Sequence, residues 1–269
     1  FSLFGISRKR SLPSLATTPF SSQFISHKKS DKKVVLFNDT FTEFITPEIG
    51  LKAANILEAM GFEVIVPAYQ CCGRTLISKG FLEQAKEKAT KLVDLLFPFA
   101  DENIPIIGLE PSCLLTLKDE FRDLYLDKHK VDRIIQSATT IDEFLSIHKK
   151  SLKEILRPFP KTVLLHGHCH QKALVGMQPT LQVLHCIPEA KIEEIPSGCC
   201  GMAGSFGYEK EHYAISQKMG ELELFPAIRN QKDATIVASG TSCRSQILDG
   251  TERRALHLVE LLDLCRKSG

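Results

Sequence analysis

The chain has 269 residues, with 34 Lys and Arg against 32 Asp and Glu, for a formal net charge of +2. That length supports one large or two modest domains with self-sufficient cores, and the near-balance of charge excludes the basic footprint of a nucleic-acid-binding protein. No apolar run reaches the roughly 18 to 20 residues that span a bilayer, because "KLVDLLFPFA" is broken by Asp94 and Pro98. A soluble chain without a transmembrane segment is expected.

Residues 1–33 are rich in Ser and bases, and the first acid is Asp31. That composition resembles a transit peptide, but Pro13, Pro19 and the initial Phe favour a linker from a preceding module. From Val34 the pattern alternates: "KVVLFND" is a strand, "TPEIGLKAANILEAMG" a helix closed by Gly61, and "FEVIVP" a second strand leading to Cys71-Cys72-Gly73. "FLEQAKEKATKLVDLLF" is an amphipathic helix, and "IPIIGLE" a third strand running to Pro111-Ser112-Cys113. A βαβαβ series implies a parallel sheet flanked by helices.

The series then starts again. "KTVLLHG" ends at His168-Cys169-His170, "KIEEIP" leads to Cys199-Cys200-Gly201, "YEKEHYAISQKMGELELF" reads as a helix, and "ATIVASG" leads to Thr241-Ser242-Cys243. Thr40 and Cys169 lie 129 residues apart, Cys71 and Cys199 128, Cys113 and Cys243 130. The tails "TIDEFL" and "HLVELL" also correspond. The fold class expected is therefore α/β, with two similar Rossmann-like halves related by internal duplication: residues 34–150 and residues 161–269.

Cys71, Cys72, Cys113, Cys169, Cys199, Cys200 and Cys243 all follow predicted strands, where open parallel sheets bind ligands. Neighbouring cysteines are poorly placed to bridge each other, and nine thiols are too few for a disulfide scaffold of this size. A reducing, cytoplasmic setting with metal-binding thiolates is expected. Cys186 and Cys265 lie in leucine-rich segments and read as small buried hydrophobes. Cys169, Cys199, Cys200 and Cys243 supply four thiols in the second half, which suit an iron-sulfur cluster or a tetrahedral zinc. His166, His168 and His170 share one side if the strand continues through them; a ligand or supporting role and simple bonding to the loop backbone both remain open. Arg74 and Lys172 are placed either to stabilise an anionic centre or to be solvated.

The order Cys, about thirty residues, Cys-Cys-Gly, about forty residues, Cys resembles the duplicated cysteine-rich CCG domain found in the B component of heterodisulfide reductase. It is similar also to that of the glycolate oxidase iron-sulfur subunit, the lactate utilization iron-sulfur protein and the C component of anaerobic glycerol-3-phosphate dehydrogenase. "GLEPSCLLTLKDE", "LLHGHCHQKAL", "SGCCGMAGSFGYEKEHY" and "DGTERRALH" resemble the C-terminal region of bacterial fusion proteins joining a FAD-linked oxidase, a ferredoxin-type module and a CCG region. The resemblance covers Val34 onward, and "FGISRKRSLP" resembles the linker after the ferredoxin module.

The resemblance implies the iron-sulfur electron-transfer region of a FAD-linked 2-hydroxy-acid dehydrogenase or oxidase. It further implies a 4Fe-4S cluster, with zinc as the alternative at one site, and FAD in a part of the parent protein outside these residues. The implied partners are the FAD-linked oxidase and ferredoxin-type modules and an electron acceptor, and any membrane association would run through partners. The alternatives are a disulfide-reducing CCG enzyme and a structural zinc-binding interaction module. No catalytic residue follows from the resemblance. The fullest family pattern ends each half in Cys-x-x-Cys; here "EPSC" and "GTSC" put Glu110 and Gly240 in place of one cysteine each, and Thr40 stands where the repeat expects another. The second half is therefore the better cluster site, with Asp39 and Glu110 as candidates to complete the first.

Overall fold

Aliphatic runs without polar alternation set the strands. Val34, Val35 and Leu36 are fully buried, as are Ile106 and Ile107, the pattern of parallel strands covered on both faces. The computed structural model describes residues 5–267 and resolves two compact units.

One unit contains residues 15–155 and 266–267. Its strands β1 Lys33–Leu36, β2 Glu63–Ile65, β3 Ile106–Gly108 and β4 Ala138–Thr140 form a parallel sheet in the order β2-β1-β3-β4. The other contains residues 5–14 and Leu156–Cys265, and its strands β5 Thr162–Leu165, β6 Lys191–Glu194 and β7 Thr235–Val237 are parallel in the order β6-β5-β7. Where the first sheet has β4, the second has a single parallel bridge from Val237 to Leu256. In each unit the first strand is central and the next two flank it, so the order repeats with the sequence.

The repeat extends to helix ends. Thr140 caps the helix Ile141–Ile147 in a reciprocal box with Glu143, and His257 caps Leu258–Leu264 in the same way with Glu260, each pairing satisfying two orphan donors. Three stretches differ from the sequence expectation. The helix expected over residues 208–225 breaks at Glu223 into Tyr213–Leu222 and Leu224–Asn230, which turns Leu224, Phe225 and Ile228 into the core. The strand before His166 stops at Leu165, and Cys169 opens a helix, Cys169–Leu174. Residues 15–33, expected as linker, include the helix Phe20–Gln23, whose Phe20 is fully buried within the first unit.

Each CCG loop turns through a left-handed glycine: Gly73 has φ +81° and Gly201 φ +93°. A Cβ at Gly73 would approach the Ala85 carbonyl oxygen at 3.2 Å, whereas one at Gly201 would collide with the Ser216 carbonyl oxygen and meet Met219 Cβ at 3.0 Å. Alanine pays the left-handed penalty of about 1 to 2 kcal/mol at either position, and Gly201 adds a backbone collision. Gly201→Ala should therefore lower the chemical-denaturation midpoint more than Gly73→Ala, and equal shifts would contradict this steric assignment.

Candidate metal centre

The site in the second unit is assembled from three strand-end loops. Cys169 lies at the start of Cys169–Leu174 after β5, Cys199 and Cys200 follow β6, and Cys243 sits in the first turn of the helix Thr241–Thr251 after β7. A parallel sheet puts all three loops at the carboxyl ends of its strands. The side chains form a row: the Cys169 thiol contacts Cys199, Cys199 contacts Cys200, and Cys200 contacts Cys243. Backbone N–H groups support it, with Gly201 donating to Cys199 Sγ at 3.3 Å and Met202 to Cys200 Sγ at 3.5 Å.

His166 extends the row. One nitrogen of its ring lies with Cys200 Sγ and Cys243 Sγ inside a group whose atoms are all within 4.8 Å of one another. Its Nδ1 pairs with Ser197 Oγ at 2.8 Å, and its buried Nε2 has no nitrogen or oxygen partner. His168 is also buried, with an unpartnered Nδ1, and its ring fills the space where Gly240 would otherwise carry a Cβ. The missing side chain at position 240 is therefore occupied by imidazole. His170 falls in the helix instead, because the strand on which all three histidines would share a side ends at Leu165. Lys172 donates to the Ser197 carbonyl oxygen, which ties it to the loop leading into Cys199.

Protons are shared unevenly along this row. Hydrogen bonds from Cys169 and Cys200 hold Cys199 below the ordinary thiol range. Hydrogen bonding from Cys200, with His166 adding to it, does the same for buried Cys243. Cys169 and Cys200 are correspondingly raised by the sulfurs they bond. Four sulfurs with adjoining imidazoles, one of them that of His168 with its buried Nδ1 unpartnered, fit a thiolate-bound metal centre.

The first unit repeats the row with one substitution. Thr40 meets Cys71 as Cys169 meets Cys199, and Cys71, Cys72 and Cys113 follow in contact. The Gly73 N–H donates to Cys71 Sγ at 3.4 Å, matching Gly201 and Cys199. The neighbouring side chains differ in kind. Asp39 and Glu110 stand where the second unit has His168 and Gly240; Cys113 accepts from Cys72, yet burial and these two carboxylates leave it raised. Burial and Glu110 push Asp39 itself up to about 6.

Both carboxylates are engaged as helix caps. Asp39 accepts from the Phe41 and Thr42 N–H groups and from Thr42 Oγ1, and Glu110 accepts from the N–H and Oγ of Ser112. Arg74 lies close enough to lower Cys113, and its buried Nε has no hydrogen-bond partner. Cys186 donates to the Gln182 carbonyl oxygen, and Cys265 is buried with its thiol raised to about 11 by desolvation, which separates both from either row. All nine cysteines are free. The histidine pair was the part of the site least visible in the sequence; the signal was the reciprocity of Gly240 and His168.

Since Thr40 occupies the fourth position of the first row, Thr40→Cys should complete it. Tight cadmium binding, followed by the thiolate-to-metal absorption band, should rise from about one equivalent to about two. Binding that stays at one would show that the first row is blocked by more than the missing thiol.

Comparison with known proteins agrees with this duplication. A profile described as the cysteine-rich domain, CCG, matches residues 37–118 and 163–248, more than half of the chain. The chain is 29% identical to the C component of anaerobic glycerol-3-phosphate dehydrogenase from Escherichia coli, with 96% of this chain aligned to 66% of that protein. It is 26% identical to D-2-hydroxyglutarate dehydrogenase of the same organism, over 93% of this chain and 26% of that protein. Against lactate utilization protein A 1 of Bacillus mycoides the identity is 24%, covering 88% of this chain and 99% of the other. The chain thus spans slightly less than two thirds of the first of these relatives and about a quarter of the second. A hypothetical protein from Helicobacter pylori shares the fold, with a TM-score of 0.55 at 11% identity over 99% of this chain and 53% of that one. The chain belongs to the cysteine-rich CCG domain family and carries that domain twice.

Proposed function

We propose that this chain is the iron-sulfur electron-transfer region of a FAD-linked 2-hydroxy-acid dehydrogenase or oxidase. The observation that carries the reading is the row of Cys169, Cys199, Cys200 and Cys243 at the strand ends of one sheet, with His166 against its buried end. Relatives named as a component of glycerol-3-phosphate dehydrogenase, a 2-hydroxyglutarate dehydrogenase and a lactate utilization protein favour oxidation of hydroxylated small molecules. Residues 1–33 connect to the upstream modules that hold the flavin and the ferredoxin-type centres, and the electron acceptor is a further partner.

Cys169, Cys199, Cys200 and Cys243 would hold a 4Fe-4S cluster, which supplies reversible one-electron transfer when bound. The chain's own groups prepare that site. Gly201 and Met202 direct N–H groups at the sulfurs, and the first turn of Thr241–Thr251 places the positive end of a helix beside Cys243. Hydrogen bonds of this kind raise reduction potentials by stabilising the more negative state. Burial of Cys200 and Cys243 limits access of water to the inner ligands, while exposed Cys169 marks the side open to exchange. The first row, with three thiols and two capping carboxylates, is the weaker site, with zinc as its alternative occupant.

Zinc in the second site is the competing reading, favoured by the His166, Cys200 and Cys243 grouping. Substitution separates structural from functional thiols: in the anaerobically purified chain, Cys200→Ser should lose most of its iron and the associated visible absorption, whereas Cys186→Ser should keep both. Undiminished iron in the Cys200 variant, or iron loss in the Cys186 variant, would overturn the assignment.

A further inference from the structure

Arg10 has no exposed side-chain surface, and it lies inside the unit that carries the four-thiol row. Burying a guanidinium is costly unless its donors are matched, and here they are. Nε donates to the Gly207 carbonyl oxygen at 2.8 Å, Nη1 to Asp249 Oδ2 at 3.0 Å, and Nη2 to Ser216 Oγ at 2.8 Å. With its amide oxygen turned inward, Gln217 accepts from Nη1 at 3.1 Å and from Nη2 at 3.2 Å. The Tyr213 ring covers the planar face, 5.0 Å from Cζ. The backbone around it is fastened as well: Ser7 N–H donates to the Tyr208 carbonyl oxygen, Lys210 N–H to that of Gly5, and Ile6 forms an antiparallel bridge with Glu209.

Three of the groups that Arg10 joins, Gly207, Ser216 and Asp249, belong to elements that position the thiols. Gly207 closes the loop that begins at Cys199-Cys200-Gly201, and a Cβ there would meet Met202 Sδ and Ser216 Oγ, each at 2.7 Å. Ser216, on Tyr213–Leu222, is the residue whose carbonyl oxygen occupies the space beside Gly201. Asp249 rides on Thr241–Thr251, the helix that carries Cys243, and Gln246 of that helix donates to the Ser216 carbonyl oxygen at 3.0 Å. One planar cation therefore holds the Cys199-Cys200 turn against the Cys243 helix.

We propose that residues 5–10 act as a strap and that Arg10 is a positioning residue for the four-thiol site, fixing the Cys199-Cys200 turn relative to Cys243. The proposal rests on the ligand set given under the proposed function, but not on which metal that set binds. Only arginine presents five donors in a fixed fork; lysine carries its three donors on one nitrogen and cannot reproduce the separate Nε, Nη1 and Nη2 contacts to Gly207, Asp249 and Ser216.

The test uses the full chain, reduced and freed of metal by chelation, with iodoacetamide labelling of each cysteine followed by peptide mass spectrometry. In Arg10→Lys and Arg10→Ala, alkylation of Cys200 and Cys243 should accelerate about tenfold, as expected when a local closed state is weakened. Cys186 and Cys265, buried in the same unit, should keep their slow rates, and guanidinium ion at concentrations that leave those two protected should restore protection of Cys200 in Arg10→Ala. Unchanged Cys200 labelling in both variants, equal acceleration at Cys186 and Cys265, or a failure of guanidinium to rescue would each overturn the positioning role. Because labelling needs no iron, the result stands apart from the success or failure of the cluster assignment.

Discussion

Sulfurs packed in contact at the end of a parallel sheet cannot all ionise unless a cation joins them or neighbouring groups compensate the charge. That electrostatic constraint organises both halves of this protein. Buried thiolates without compensation are strongly disfavoured, so the metal-free row must share protons, as Cys169 and Cys200 do by bonding to Cys199 and Cys243. A bound metal replaces those shared protons with a single cationic centre, which is why metal affinity and thiol acidity are set by the same surroundings.

The two units meet this constraint differently although their backbones repeat. In the second, the hydrogen bond from Cys200 lowers Cys243, His166 and His168 beside it add to that, and Gly240 leaves room for the His168 ring. In the first, Phe37 and Asp39 occupy the corresponding positions, Glu110 replaces Gly240, and Cys71, Cys72 and Cys113 are all raised. Duplication thus preserved the scaffold, including the left-handed glycines and the N–H bonds to Cys71 and Cys199, while the residues that tune charge diverged. In one unit two thiols of the row are held low; in the other all three thiols are raised, and the Asp39 carboxyl with them.

Much of this was legible in the sequence because it depends on order and spacing. The offsets near 129 residues identified the equivalent strand ends, and the thiol contacts follow those offsets down to Thr40 standing in for Cys169. The role of the histidines was not legible, since it depends on where β5 ends: the chain leaves the strand at Leu165, and only then does His166 face Cys200 and Cys243. Arg10 was hidden for a different reason. Its partners lie about 200 residues or more away in sequence, at Gly207, Ser216 and Asp249, and a basic segment among serines and prolines gives no local sign of a buried ion pair.

The central claim is that the second unit holds an iron-sulfur centre on its four thiols. The most direct measurement is iron, acid-labile sulfide and zinc analysis of the full chain purified without oxygen, paired with Mössbauer spectroscopy. About four iron and four sulfide per chain are expected, with spectra of a thiolate-bound cluster. Zinc in place of iron, with no labile sulfide, would contradict it.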